Sequence, residues 1–201
     1  LSKIHSGVIL VDGVEAHISG PAAALKVGKG LAYLPEDRKA EGILAGLSTA
    51  SNMVLPILSR IAHRGFVWPA GERRVARQTA DTVELQQRYL GFRIGELSGG
   101  NQQKALLARV IMTGARTLLL FDPTRGVDVG TKQSIYEAIR KFASSGGSVL
   151  FYSSELPELV NLADRCIVLY GGRIFAEYRG HAIQEQALVG ALIGHAQGAA
   201  A

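Results

Sequence analysis

The sequence predicts an α/β fold: a mostly parallel sheet with flanking helices, antiparallel edge strands and an inserted helical subdomain. Three observations carry that expectation. The apolar runs TLLLF, SVLFY and RCIVLY alternate with helix-length stretches in the second half of the chain, which is the order of parallel strands with crossover helices. Each run is continuous rather than alternating, as expected when helices cover both faces of a sheet. Ahead of them lies a long stretch of helix-forming sequence without strand texture.

Taken in order, GVILVDG and VEAHI read as a short hairpin around Asp12-Gly13. Pro21 opens a short helix, PAAALKVG, closed by Gly28, and LAYLP follows as a strand. From Thr49 to Phe92 the pattern is helical, SNMVLPILSRIAHR and then GERRVARQTADTVELQQRYLGF, broken between Gly65 and Gly71. The core is therefore expected over 1–48 and 96–201, with 49–95 as the helical subdomain. After it come a helix from Gly99 to Met112, strand TLLLF, helix TKQSIYEAIRKFA, strand SVLFY, helix ELPELVNLA and strand RCIVLY. Gly171-Gly172 turns the chain into RIFAEYRG, and a last amphipathic helix, IQEQALVGALIG, precedes a small-residue tail expected to fray.

With 201 residues, 47% of them hydrophobic, the chain can bury one core. No run reaches the roughly 18 apolar residues of a membrane span, and LSKIHSG lacks the apolar centre of a signal peptide, so export is not expected. The one cysteine, Cys166, is expected to pack as a small hydrophobe. His5, His17, His63, His181 and His195 show no metal-ligand spacing, which argues against a zinc site. The net charge of +5 is dispersed. Its densest group, Arg73, Arg74 and Arg77, reads as a solvated helix face without interleaved aromatics, so a nucleic-acid partner is not expected. Glu155 and Glu158 read as a solvated first helical turn, and Trp68 as a packing anchor of the helical subdomain.

The chemistry concentrates in LSGGNQQK, Leu97 to Lys104. Ser98 stands as an N-cap, and two glycines after it expose backbone N–H groups at the positive end of a helix, a geometry suited to a terminal phosphate. A serine and two glycines before a helix are also common structural punctuation. The Asn-Gln-Gln-Lys ending and the apolar strand that follows narrow the reading.

LSGGNQQK resembles the signature motif of ABC transporters, and its ending is similar to the ATP-binding proteins of bacterial importers for ribose, galactose, arabinose and xylose. YLPEDRKAEGI, DPTRGVDVGTK and SSELPEL extend the resemblance over essentially the whole chain. In those importers one polypeptide carries two fused nucleotide-binding domains, and this combination of motifs is typical of the second. The resemblance implies an ABC-type P-loop NTPase core, with Mg-ATP shared head to tail with another nucleotide-binding domain. Ser98, Gly99, Gly100 and Gln102 would then contact the γ-phosphate of an ATP held mainly by that partner. Asp128 would lie in the D-loop between the two domains, and Glu36 in the Q-loop, where glutamine is usual. It further implies membrane permease subunits as partners, a periplasmic sugar-binding protein indirectly, and a cytoplasmic, peripheral location on the inner face of the membrane.

Three departures bear on catalysis. G-x-x-x-x-G-K-[ST] occurs nowhere in the chain. The resemblance aligns Leu1 just after the P-loop helix, so the P-loop and the adenine-stacking aromatic are expected either outside this sequence or deleted. Counted from Ser98, the family's spacing puts Phe121 at the magnesium aspartate and Asp122 at the catalytic glutamate; if Asp122 instead serves the metal, Pro123 takes the place of the base, and either way one carboxylate stands where two are needed. Ser154 takes the place of the histidine that binds the γ-phosphate, although capping of the helix at ELPEL explains Ser153 and Ser154 equally well. Two functions are therefore expected to compete. One is an importer domain that completes a partner's ATP site in trans. The other is a catalytically degenerate structural or regulatory module.

Overall fold

The computed structural model describes residues 6–194; the leading LSKIH, with His5, and the tail from His195 onward lie outside the described residues. The chain divides into a compact unit up to Tyr152 and another from Ser153.

The first unit opens with β1 (Leu10–Val11) and β2 (Val14–Glu15), paired antiparallel around Asp12 and Gly13. Both turn residues have positive φ, 54° and 79°, which a two-residue hairpin requires and Asp-Gly accommodates. Pro21 is the first residue of the short α1 (Pro21–Ala24), and β3 (Leu31–Leu34) follows.

The parallel sheet has three strands in the order β3, β4 (Thr117–Phe121), β5 (Ser148–Tyr152), with Leu34, Leu120 and Phe151 in register. One face buries Ala32, Leu34, Leu118 and Leu120, and helices α5 (Gly99–Met112) and α6 (Val129–Ser144) pack on β3 and β5. The expectation that both faces are covered is corrected. Tyr33, Phe121, Leu150 and Tyr152 on the opposite face are exposed. A continuous apolar run records that both faces can be buried, not that both are covered within the same chain.

Between β3 and α5 the chain is helical. Ser48 caps α2 (Thr49–Val54), its Oγ accepting from Ser51 N at 3.0 Å. Pro56 lacks the N–H that would continue the helix, so SNMVLPILSRIAHR divides into α2, a 3-10 turn and α3 (Leu58–Ile61). Helix α4 (Pro69–Ala80) starts at Pro69, before the expected limit of the break at Gly71. It exposes Arg73, Arg74 and Arg77, as read from the sequence. It ends twelve residues ahead of the expected helix because Glu84 turns left-handed, φ 52°; between residues 81 and 96 three 3-10 turns bury Val83, Leu90 and Ile94. Trp68 is 70% exposed, so it is no packing anchor. Helix α2 packs on α4 and α5.

The second unit contains α7 (Leu156–Leu162), the antiparallel hairpin β6 (Arg165–Tyr170) and β7 (Arg173–Arg179), and α8 (Glu185–Leu192). Gly171 and Gly172 make the turn at positive φ. RCIVLY, expected in the main sheet, pairs among the described residues with β7 alone. Its core is Cys166, Val168, Ala176, Tyr178, Ile183, Leu188 and Ala191. No helix among the described residues is long and apolar enough to cross a membrane.

Candidate functional site

In a parallel sheet the chain leaves every strand at the same end, where loops converge and ligands bind. Here the loops after β3 and β4 meet the start of α5. Ser98 is the N-cap of α5, with its Oγ accepting from Asn101 Nδ2 at 3.1 Å and, at a longer 3.4 Å, from Asn101 N. It is exposed, and a helix leaves its first N–H groups without a partner inside the helix. A phosphate fits such a terminus.

The two glycines answer to packing as well as to access. A Cβ on Gly100 would lie 2.7 Å from Thr131 Oγ1, and one on Gly99 would lie 2.6 Å from an Arg38 guanidinium nitrogen and 3.2 Å from the Gly126 carbonyl. Gln102 is 6% exposed and turned inward. Its Nε2 donates to the carbonyls of Ile94 (3.2 Å) and Leu97 (3.0 Å), which fixes the loop that presents Ser98. Buried Lys104 donates to the Glu84 carbonyl at 3.2 Å, so the end of the NQQK run secures the helical segment to α5.

After β3, Asp37 Oδ1 accepts from Lys39 N at 2.9 Å and Ala40 N at 3.0 Å and nucleates a π-helical turn, Arg38–Gly42. Glu36 forms an exposed ion pair with Arg125. The far end of the turn is held by Arg109 of α5, which donates to Gly42 O, to Asn52 O at 2.6 Å and to Asn52 Oδ1 at 2.9 Å. Burial pulls that guanidinium down to about 10.

At the end of β4, Phe121 is one member of an aromatic seam. Its ring centroid is 5.7 Å from that of Tyr33, edge to face, and 6.0 Å from that of Tyr152. Asp122 is buried with a left-handed φ of 43°, a strained conformation that Asp tolerates better than most residues. Its N–H donates to Tyr152 O at 2.9 Å, and its carbonyl accepts from Arg125 N at 3.0 Å. Asp128 caps α6: Oδ1 accepts from Thr131 N (3.0 Å) and Oδ2 from Thr131 Oγ1 (2.8 Å), bonds that hold its carboxyl below the ordinary range.

The first unit thus gathers Gly99, Gly100 and Gln102, next to Ser98, with Arg38, Gly126 and the Asp128–Thr131 cap of α6; Glu36 joins them through Arg125, and Phe121 and Asp122 stand at the end of β4. Ser154 lies in the second unit. It is exposed, while the neighbouring Ser153 Oγ accepts from Glu155 N at 2.9 Å in a local turn ahead of α7. Glu158 was expected to be solvated and is 1% exposed. As the third residue of α7, it sits within the positive first turn of that helix. Arg38, Asn52, Arg109 and Arg125 were missed in the sequence, since what singles them out is contact between distant segments.

At the end of β4 a metal ion would find one carboxylate, that of Asp122. Phe121 offers no oxygen, and no group of three His, Cys, Asp or Glu side chains among the described residues could hold a metal ion. The signature end of α5 fits a phosphate, with Ser98 and the helix N–H groups as donors.

Comparison with known proteins bears on the family and the fold. A ribose import ATP-binding protein of Mesorhizobium japonicum is 41% identical over 184 residues, 92% of this chain and 36% of that protein. A ribose import ATP-binding protein of Corynebacterium glutamicum is 41% identical over 177 residues, 88% of this chain and 33% of its own length. The chain therefore spans about a third of the curated relatives it matches. Among solved structures, a nucleotide-free ATP-binding cassette from an ABC transporter superposes with a TM-score of 0.76 at 19% identity, covering 96% of this chain and 79% of that one. A dimeric cassette in a post-hydrolysis state bound to ADP and Pi gives 0.73 at 20% identity, with coverages of 89% and 75%. Both are likenesses of fold. The profile described as ABC transporter matches residues 1–125, and the chain belongs to the ABC transporter family.

Proposed function

We propose that this chain is the signature-bearing part of the second nucleotide-binding domain of a sugar-type ABC importer, and that it completes in trans an ATP site whose P-loop and magnesium belong to a partner domain. One observation carries the reading. The signature loop is fully built, with Ser98 exposed as the N-cap of a 14-residue helix.

In this role Ser98, Gly99 and Gly100 meet the γ-phosphate, and Gln102 acts through the loop it fixes. Asp128 shapes the D-loop that crosses to the partner, and Glu36 belongs to the segment facing the permeases. Residues 49–95 form the helical subdomain and the remainder the core. The chain works at the inner face of the cell membrane, with monosaccharide uptake as the energised process. The names of the relatives support a sugar such as ribose. Asp122 and Ser154 hold the places of the catalytic glutamate and the γ-phosphate histidine. Phe121 specifically favours the second reading, a degenerate module that retains the fold for structural or regulatory binding.

The two readings separate in an ATPase measurement on the complex assembled with a P-loop-bearing partner domain and permeases. Ser98→Arg fills the phosphate position with a long side chain, and turnover is expected to fall at least tenfold. Turnover equal to the wild type would leave the degenerate module as the reading.

A further inference from the structure

The guanidinium of Arg38 sits where three segments converge. It follows Glu36 and Asp37 on the loop after β3. Its Nε donates to Gln102 Oε1 at 3.4 Å, and its Nη1 donates to the Arg125 carbonyl at 2.7 Å. Its other terminal nitrogen lies against Gly99, 2.6 Å from the position a Cβ would take there, and 3.7 Å from the corresponding position on Gly126. Arg125, whose carbonyl it holds, pairs through its own side chain with Glu36. One planar group thus touches the residue that shapes the signature loop, the first glycine of that loop, and the turn leading to Asp128.

We infer that Arg38 is a positioning residue that ties the loop after β3 to the signature loop and to the 125–128 turn, so that the three move as one body. The proposal rests on the trans reading above and adds the device that sets the signature geometry. The argument is one of shape. A guanidinium offers donors in a fixed planar fork and can serve two acceptors in different directions while lying flat on a glycine. A lysine carries its three donors on one nitrogen at the end of a flexible stem and cannot span acceptors that the fork reaches from separate nitrogens. Gly99 is small for the same reason, since any side chain would displace the fork. A loop that presents donors to a phosphate must be held to a fraction of an ångström, and rigid supporting contacts supply that.

The test uses the assembled complex with its P-loop-bearing partner and permeases, comparing the wild type, Arg38→Ala, Arg38→Lys and Ser98→Arg. Nucleotide affinity would reside mainly in the partner's P-loop. The expected result for Arg38→Ala is therefore a kcat at least tenfold lower with KM for ATP within threefold. Arg38→Lys is expected to stay within about twofold of the alanine variant. Hydrogen exchange at the Gly99 and Gly126 amides should accelerate in both, while exchange in α4 is unchanged, which separates a local loss of position from a failure to fold. A lysine variant with wild-type turnover would overturn the clamp in favour of a simple charge effect, and unchanged turnover in both Arg38 variants would overturn it outright. If Ser98→Arg abolishes turnover and the Arg38 variants do not, only the clamp fails. If Ser98→Arg is silent, the trans reading itself fails.

Discussion

Replacing Phe121 with alanine tests whether the strand end is a packed aromatic seam rather than a vestigial metal site. The ring is 43% exposed, so a little over half of it is buried. A phenylalanine side chain carries roughly 200 Å² of apolar surface, of which about 100 Å² is withdrawn from water here, worth about 2.5 kcal/mol at roughly 25 cal/mol/Å². Alanine retains the Cβ share of that. It loses the contacts with Tyr33 and Tyr152, whose centroids stand 5.7 and 6.0 Å away, each worth about 0.5–1.5 kcal/mol beyond area. Phe121→Ala is expected to cost about 3–5 kcal/mol, measured by urea unfolding followed by circular dichroism. Phe121→Asp should cost at least as much, because a carboxylate would stand between two tyrosines, and millimolar magnesium should not restore the loss. A cost below about 0.5 kcal/mol for alanine, or recovery of the aspartate variant by magnesium, would refute the reasoning.

Arg109→Met removes the donors that Gly42 O, Asn52 O and Asn52 Oδ1 share. Stranding buried acceptors costs about 1–3 kcal/mol each, partly offset by no longer desolvating a charge, so a loss of about 2–4 kcal/mol is expected by urea unfolding; a neutral change would show that the network contributes nothing net. In the second unit, hydrogen bonds from Arg165 and Arg179 hold the Glu177 carboxyl at about 2. A depressed carboxyl stabilises above its ordinary value, about 4.3, and that contribution fades as pH falls toward 2. Side-chain carbon NMR should place the Glu177 midpoint near 2, and Arg165→Ala should raise it; a midpoint at the ordinary value would contradict the triad.

The sequence was most legible where a local signal decides the structure. Helix α5 begins and ends at the residues read from its cap and its apolar period, because Ser98 supplies the cap and the residues from Gln102 onward are mostly good helix formers. The hairpin turns at Asp12-Gly13 and Gly171-Gly172 were legible because positive φ selects their residues. What escaped depends on distant partners. The π-helical turn after Asp37 is locked by Arg109 of α5, some seventy residues on. The helix past Ala80 breaks into 3-10 turns so that Leu85, Leu90 and Ile94 can reach the core, and no periodicity encodes that choice. RCIVLY has the composition of a central strand, yet its described pairing is to its own hairpin partner. Glu158 carries a solvated side-chain type and is buried nonetheless.

The most direct measurement is a calorimetric titration of Mg-ATP into this chain alone, into a P-loop-bearing partner domain whose catalytic glutamate is replaced by glutamine, and into the two together. The chain alone should give no resolvable binding. The partner's affinity should rise at least tenfold when the chain is present, about 1.4 kcal/mol or more, and Ser98→Arg should remove the gain. Micromolar affinity in the chain alone, or a partner affinity indifferent to the chain, would contradict a domain that lends its signature to another's nucleotide.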